Sequence, residues 1–379
     1  MKSCPAVLLN GSLSPSTPLE VNSEISVCNG QYFLSYAWKD SQRPSGHQHW
    51  MLAPFKTASL LNSEIAPIIE DARISGVIWT MDWRQAETSF GIYNFTSLIN
   101  QLNRCSVLGK KLILRMFCKT YSGSFTDPVG ALPTTLAIPD YIPLNHSTYG
   151  GTAFRGGIYP VYLSGTAVGW GPMLENDAVR SRWRLMVEAI KSAVGNHPAF
   201  AGFIGPDESA RSAWTGSALP VGMTSSSVIA ANKDMWSHAA AHFGYDKTWP
   251  VVNYIDGTES TSINIQNVID TQSWVSASGM NVALSDTYLV PSKVTQFLQP
   301  VYYSTPRKDM SPGRKTLVHI DLLSLGAVDA GLNQRMIDLA KQTYRLGADI
   351  TAWNPYTVGG GGSASYWTAM QAAIDATQT

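Results

Sequence analysis

Phe200-Ala201-Gly202-Phe203-Ile204-Gly205-Pro206-Asp207-Glu208-Ser209 is the stretch that decides the fold of this chain. It opens as a short apolar run, breaks at Gly-Pro, and ends in two adjacent carboxylates. A run that is apolar throughout, rather than alternating, reads as a strand buried on both faces, which is the habit of a parallel sheet covered by helices. The Gly-Pro step punctuates it. The polar residues that follow therefore fall at the strand's C-terminal end.

Outward from this stretch, the same pattern recurs on both sides. Three runs precede it, Tyr32–Trp38, Gly76–Trp83 and Lys111–Phe117, and four follow it, Pro250–Ile255, Asn281–Asp286, Thr316–Asp321 and Asp349–Asn354. Helical stretches separate most of them. The spacing predicts helices near 57–72, from Thr96 as N-cap to Leu108 with Gly109 as the stop, and near 175–194, where Trp183, Met186, Val187 and Ile190 share one face. Further helices are predicted near 224–243, 262–276, 332–346 and 365–376. Eight strand–helix units in 379 residues predict an α/β fold, a (β/α)8 TIM barrel. On this reading residues 1–30 form an irregular N-terminal cap, 31–379 form the barrel, and 119–172 form a long loop insertion after the third strand that lines the active site. Loops of that length inside a compact domain usually carry function. No Gly-x-Gly-x-x-Gly follows a strand, which counts against nucleotide binding.

Composition narrows the partners. Lys plus Arg and Asp plus Glu are 27 each, so the formal net charge is zero. With no basic block, nucleic acid and membrane surfaces are poor partners. Charged residues make up only 14% of the chain, below the roughly 25% of ordinary soluble domains. Twelve Trp and sixteen Tyr suit a neutral, polyhydroxylated ligand, because aromatic faces stack on the C–H faces of sugar rings; the competing reading places most of them in the core. Cys4 and Cys28 flank a turn-rich segment and are candidates for a disulfide. Cys105 and Cys118 read as buried thiols. No Cys-x-x-Cys or Cys/His cluster suggests a metal, and no cofactor is implied. The apolar stretch near the N-terminus is too short for a secretory signal, and no run reaches the ~18 residues of a membrane span. The composition is compatible with an extracellular or virion-associated protein.

In barrels of this kind the site lies at the C-terminal ends of the strands. Those ends hold Asp82 and Trp83, Asp207 and Glu208, Tyr254, Asp286 and Tyr288, His319 and Asp321, and Trp353 and Asn354. Carboxylates and aromatics around one mouth are what cleavage of a glycosidic bond needs. One carboxyl protonates the leaving oxygen; the other attacks the anomeric carbon or activates water, at about 5–5.5 Å for retention and about 6.5–9.5 Å for inversion. Each residue also has a structural reading. Glu208 and Asp321 can serve as helix-start carboxylates, and Asp207 can pair with Arg115. His319 can be a core histidine, and Arg84 with Glu87 can form an ion pair at the rim. Asp286 and Glu259 rival Asp321 as the second carboxylate.

Trp83-Arg84-Gln85-Ala86-Glu87 followed by Gly91-Ile92-Tyr93-Asn94-Phe95 resembles the W-x-x-x-E…G-x-Y-x-F stretch after the second strand of retaining barrel glycosidases. That clan includes β-galactosidase-like and cellulase-like families. Asp207-Glu208 is similar to its Asn-Glu pair, whose Glu is the acid/base. Asp286-x-Tyr288 after the sixth strand and Trp353 after the eighth match its habits too. The resemblance spans about 32 to 376 and is carried by order and position. It implies a glycoside hydrolase acting on an oligo- or polysaccharide, with Glu208 as acid/base and Asp321 as nucleophile or base. Asp82, Trp83, Asp207, Tyr254, Asp286, Tyr288, His319, Trp353 and Asn354 would bind substrate. Two departures matter: the clan's Asn is Asp207 here, and its seventh-strand Glu is Asp321. A non-catalytic carbohydrate-binding barrel that has lost its nucleophile is the alternative.

Overall fold

The computed structural model describes residues 23–28, 31–36, 45–53, 65–120, 136–152, 155–163, 166–206, 224–251, 261–284, 314–320, 329–345, 348–354 and 364–377. Seven parallel strands form one sheet: β1 (Gln48–Leu52), β2 (Ile74–Asp82), β3 (Lys111–Phe117), β4 (Phe200–Ile204), β5 (Val282–Leu284), β6 (Thr316–Ile320) and β7 (Ile350–Trp353). Their order is β4-β3-β2-β1-β7-β6-β5. Residues 248–251 fill the gap between the two edges. Thr248 bridges in parallel to Phe203 of β4, and Val251 bridges to Ala283 of β5. The eighth position is thus occupied where the Pro250–Ile255 run was expected, and the arrangement is that of a (β/α)8 barrel.

The helices are α1 (Ala66–Glu70), α2 (Thr96–Val107), α3 (Asp177–Val194), α4 (Ser225–Phe243), α5 (Thr261–Ser278), α6 (Leu332–Arg345) and α7 (Ala364–Ala376). Of these, α2 to α7 lie where the sequence pattern put them, whereas α1 is a short part of the expected 57–72 helix, of which 57–64 lie outside the described residues. Their ends follow capping chemistry. Asn176 accepts from the Ala178 and Val179 N–H groups at the start of α3, and Thr224 forms a capping box with Ser227 at the start of α4. Thr96 is the first helical residue of α2 rather than its cap, and Asn94 accepts from its N–H (3.1 Å). Gly109 sits at φ +66°, the left-handed conformation that stops a helix.

One strand expectation fails. The Tyr32–Trp38 run does not enter the barrel. Gln31–Tyr36 pairs antiparallel with Ser23–Cys28 as a separate hairpin, and the first barrel strand is Gln48–Leu52. A signal was present, since Asn29-Gly30 between two short strand-like runs is a hairpin signature. The polar start of Gln48-His49-Trp50-Met51-Leu52 concealed a strand whose burial comes from its neighbours. The 119–172 insertion is also less irregular than expected. Within it Ile158–Leu163 and Thr166–Pro172 pair as an antiparallel hairpin. Trp170 N–H donates to Thr120 Oγ1 (2.9 Å), which fastens the hairpin to the end of β3. A Cβ at Gly169 would stand 1.7 Å from the Thr120 carbonyl oxygen, so this close approach requires glycine.

Strand parity divides the core in two. Val77, Trp79, Met81, Leu112, Leu114, Met116, Phe203 and Val318 face the helix layer. Trp50, Leu52, Ile78, Ile113, Ile204, Trp249, Val251, Ala283, Leu317, Ile350 and Ala352 fill the barrel itself. Two glycines make room for the large rings inside: a Cβ on Gly76 would meet Trp50 at 2.8 Å, and one on Gly202 would meet Trp249 at 2.6 Å. Cys105, on α2, and Cys118 are buried as expected, and burial pushes the Cys105 thiol up to about 12. The suggested Cys4–Cys28 bridge lies outside the described residues. Among the described residues no helix is long and apolar enough to cross a membrane.

Candidate active site at the barrel mouth

The inward-facing positions change character along each strand. On β2 they run from Ile78 to Thr80 to Asp82, and on β3 from Ile113 to Arg115 to Phe117. On β6 Leu317 gives way to His319, and after β7 Ala352 gives way to Asn354. The register aligns Thr80 with Arg115, Asp82 with Phe117, and His319 with Ala352. Apolar packing therefore closes the N-terminal end of the barrel, and polar groups collect at the C-terminal end, where barrel chemistry is found.

Two of these groups are deeply buried and basic. Arg115 is 3% exposed and His319 2%. Burial, with the Arg115 charge as a second cause, holds the His319 pKa well below the ordinary imidazole range. His319 is accordingly neutral at pH 7, and its Nε2 has no hydrogen-bond partner among the described residues. An unsatisfied buried polar atom costs about 1–3 kcal/mol and marks a site that something else completes. Asp82 and Asn354 are half-buried at the same mouth. Asp82 also caps the helical turn Trp83–Ala86, pairing with Gln85 in a capping box, and its own N–H donates to Gln85 Oε1 (3.2 Å).

The tryptophans predicted as sugar platforms are not at this mouth. Trp83 is fully buried, meets Trp183 edge-on at 5.3 Å, and donates from Nε1 to Glu87 Oε2 (3.0 Å). Trp353, 1% exposed, has the outward parity of β7 and packs in the helix layer. There its Nε1 donates to His49 Nδ1 (3.0 Å). Because His49 Nδ1 must accept, its Nε2 carries the proton toward Tyr344 Oη (3.1 Å). Tyr344 Oη then meets Thr377 Oγ1 at 2.9 Å, and the network ties β1 and β7 to α6 and α7. Neither ring offers a face to a ligand. The reason is parity: aromatic character does not reveal which side of the strand a residue takes. Asp207, Glu208, Tyr254, Glu259, Asp286, Tyr288 and Asp321 lie outside the described residues.

The expected Arg84–Glu87 ion pair is replaced by two others. Arg84 reaches Asp140 (2.8 Å) on the insertion. Glu87, wholly buried, pairs with Arg182 of α3. Arg182 also donates from Nε to Tyr141 Oη (2.9 Å). Burial opposes the Arg182 charge, but its hydrogen bonds to Glu87 and Tyr141 outweigh that cost and raise its pKa. The motif around Trp83 and Glu87 is thus a buried strut joining the second strand's loop to α3 and the insertion.

Glu175 was not singled out from sequence. It borders a cavity with Lys119, Tyr159 and Asn232, beside the insertion hairpin, with room for about one water. Burial raises its carboxyl pKa, partly offset by a backbone hydrogen bond and by Arg180. A space of that size excludes a sugar ring. Nothing in the local sequence Met173-Leu174-Glu175-Asn176 signals this burial, because the surrounding walls come from Tyr159 and Pro172 of the insertion hairpin and from Val228, Ala231 and Asn232 of α4.

No family model matches the chain, and none of the curated proteins matches its sequence. Solved structures do match its fold. A GH5_18 protein from Bifidobacterium longum subsp. infantis aligns with a TM-score of 0.53 at 12% identity, covering 88% of this chain and 79% of that one. Endo-glycoceramidase II from Rhodococcus sp., captured as its lactosyl-enzyme intermediate, aligns with a TM-score of 0.52 at 12% identity over 88% and 80%. The exo-β-1,4-mannosidase Op5Man5 from Opitutaceae bacterium strain TAV5 aligns with a TM-score of 0.50 at 12% identity over 89% and 62%. What this chain shares with these glycoside hydrolases, across nearly nine-tenths of its length, is the (β/α)8-barrel fold.

Proposed function

We propose that this chain is a glycoside hydrolase that cleaves an oligo- or polysaccharide at the C-terminal mouth of its barrel. The observation that carries the reading is the inward-facing polar set of Thr80, Asp82, Arg115, His319 and Asn354 at that mouth, in a fold shared with glycosidases. Glu208 follows β4 by four residues and Asp321 follows β6 by one. In this reading Glu208 protonates the leaving oxygen, and Asp321 attacks the anomeric carbon or activates water, with no cofactor required. Asp207, Tyr254, Asp286 and Tyr288 contribute to substrate binding, alongside Asp82, His319 and Asn354. Neutral His319, with Nε2 unpartnered, has a lone pair or an N–H to offer a sugar hydroxyl. The Glu208→Gln and Asp321→Asn variants test this by reducing-end release on a panel of polysaccharides. Each is expected to lose at least a hundredfold in rate; a Glu208→Gln variant that keeps near-native turnover overturns the assignment.

The Asp at position 321, where the resembling families carry Glu, favours a second reading: a barrel that binds carbohydrate without cleaving it. Saturable binding to a polysaccharide that yields no new reducing ends would select it.

A further inference from the structure

Two helices on the outside of the barrel bring together ligating side chains that the glycosidase reading leaves unused. His238 and His242 stand four residues apart on α4, and therefore on one face of it, with ring centroids 4.5 Å apart. Glu188 faces them from α3. Its Oε1 lies 3.3 Å from His238 Nε2 and 4.0 Å from His242 Nε2. One donor atom from each of the three falls within 4.8 Å of the other two, and all three residues are half-buried.

The second observation concerns His238 Nε2. This atom is buried and has no hydrogen-bond partner among the described residues, although Glu188 Oε1 lies 3.3 Å from it. The distance suits a hydrogen bond, but the direction does not. The ring's hydrogen bond goes instead to the backbone of Arg184, which leaves Nε2 as the lone-pair nitrogen of the neutral ring. A lone pair beside a carboxylate oxygen is a repulsive arrangement that a cation between them would reverse. A ligand histidine held through its other ring nitrogen is the usual support for a metal.

We propose that Glu188, His238 and His242 form a binding site for a divalent transition-metal ion of the zinc class. Tetrahedral zinc with bonds of about 2.0–2.1 Å places its ligand atoms about 3.3 Å apart, which is the His238–Glu188 separation already present. The His242 side chain closes its longer distance by a small rotation, and water completes the coordination from the half-exposed side. Two imidazoles and one carboxylate select zinc, copper or nickel over magnesium or calcium, which prefer all-oxygen shells. The Arg184 charge acts against positive charge at His238, and the Glu188 carboxylate acts for it. The arginine charge is offset by pairing with Asp234, which Arg180 shares while also pairing with Asp177. The ion would pin α3 to α4, the helices that follow the third and fourth barrel strands. The sequence contains the pair as His-x-x-x-His, but the third ligand comes from another helix, so spacing alone does not reveal the set.

The test is calorimetric titration of the metal-free full chain with Zn2+, with Co2+ as a spectroscopic probe through its visible d–d absorption. The native chain is expected to bind one equivalent of Zn2+, and to rise in Tm with it. His238→Gln and His242→Gln should each weaken binding at least tenfold, and the double variant should lose both the Co2+ bands and the Tm rise. Near-UV circular dichroism of the zinc-free variants separates lost binding from lost fold. If the double variant does not fold, Glu188→Gln carries the comparison, with the same tenfold loss expected. No binding by the native chain, or unchanged affinity in the folded variants, overturns the proposal.

Discussion

Replacing Glu87 by Ala should destabilise the protein by about 3–5 kcal/mol, the cost of breaking a buried ion pair from one side. The carboxylate is fully buried and its partner Arg182 is 9% exposed. Three donors converge on it: Arg182, Trp83 Nε1 (3.0 Å) and the Gly91 N–H (3.0 Å). Alanine removes the acceptor of Trp83 Nε1 and of the Gly91 N–H and leaves Arg182 only the Tyr141 and Tyr93 hydroxyls, and an uncompensated guanidinium dominates the cost. Unfolding entropy of about 2.1 cal/mol/K per residue, over 379 residues, gives roughly 0.8 kcal/mol/K, so the Tm should fall by about 5 °C. Urea denaturation and calorimetry of Glu87→Ala, Arg182→Met and Glu87→Ala/Arg182→Met complete the experiment. The double variant should cost less than the sum of the single ones by at least ~1 kcal/mol, since each single change leaves the other charge stranded. A Glu87→Ala variant within ~1 kcal/mol of native, or strictly additive single changes, would refute the reasoning.

His319 makes stability depend on pH. Its folded pKa is depressed, so below the unfolded value of about 6.5 the unfolded chain binds the extra proton. Stability should fall as pH drops through that value, by about 1 kcal/mol between pH 7 and 5.5. His319→Gln should flatten that slope in urea titrations at the two pH values; an unchanged slope would count against a neutral buried ring. Trp353→Phe removes the donor to His49 while keeping most of the ring volume, and should cost about 1–2 kcal/mol of stability with KM unchanged. A large rise in KM without loss of stability would place the ring at the ligand instead.

Much of the fold was legible in the chain itself. The Phe200–Ile204 run, the Lys111–Phe117 run and the helices near 175–194 and 224–243 were placed correctly because each depends on local pattern: apolar continuity for a strand buried on both faces, apolar residues at helical spacing for a helix packed on the sheet. Asp82, His319 and Asn354 lie at the mouth where the sequence placed them, since polar residues at or just past the end of an apolar run fall at the strand's C-terminal end. Tertiary structure decided the rest. Gln48–Leu52 became the first barrel strand, and Tyr32–Tyr36 did not, because pairing partners distant in sequence settle which run is buried. Trp353 entered the helix layer and His319 the barrel because parity is set by register against neighbouring strands. Glu87 found Arg182 instead of Arg84, and Glu188 came to face His238 and His242, because packing of whole helices brings such groups together. Sequence determined which segments could be strands and helices, from interactions within a few residues. Only the closed barrel decided which side chains meet, since those contacts join residues far apart along the chain.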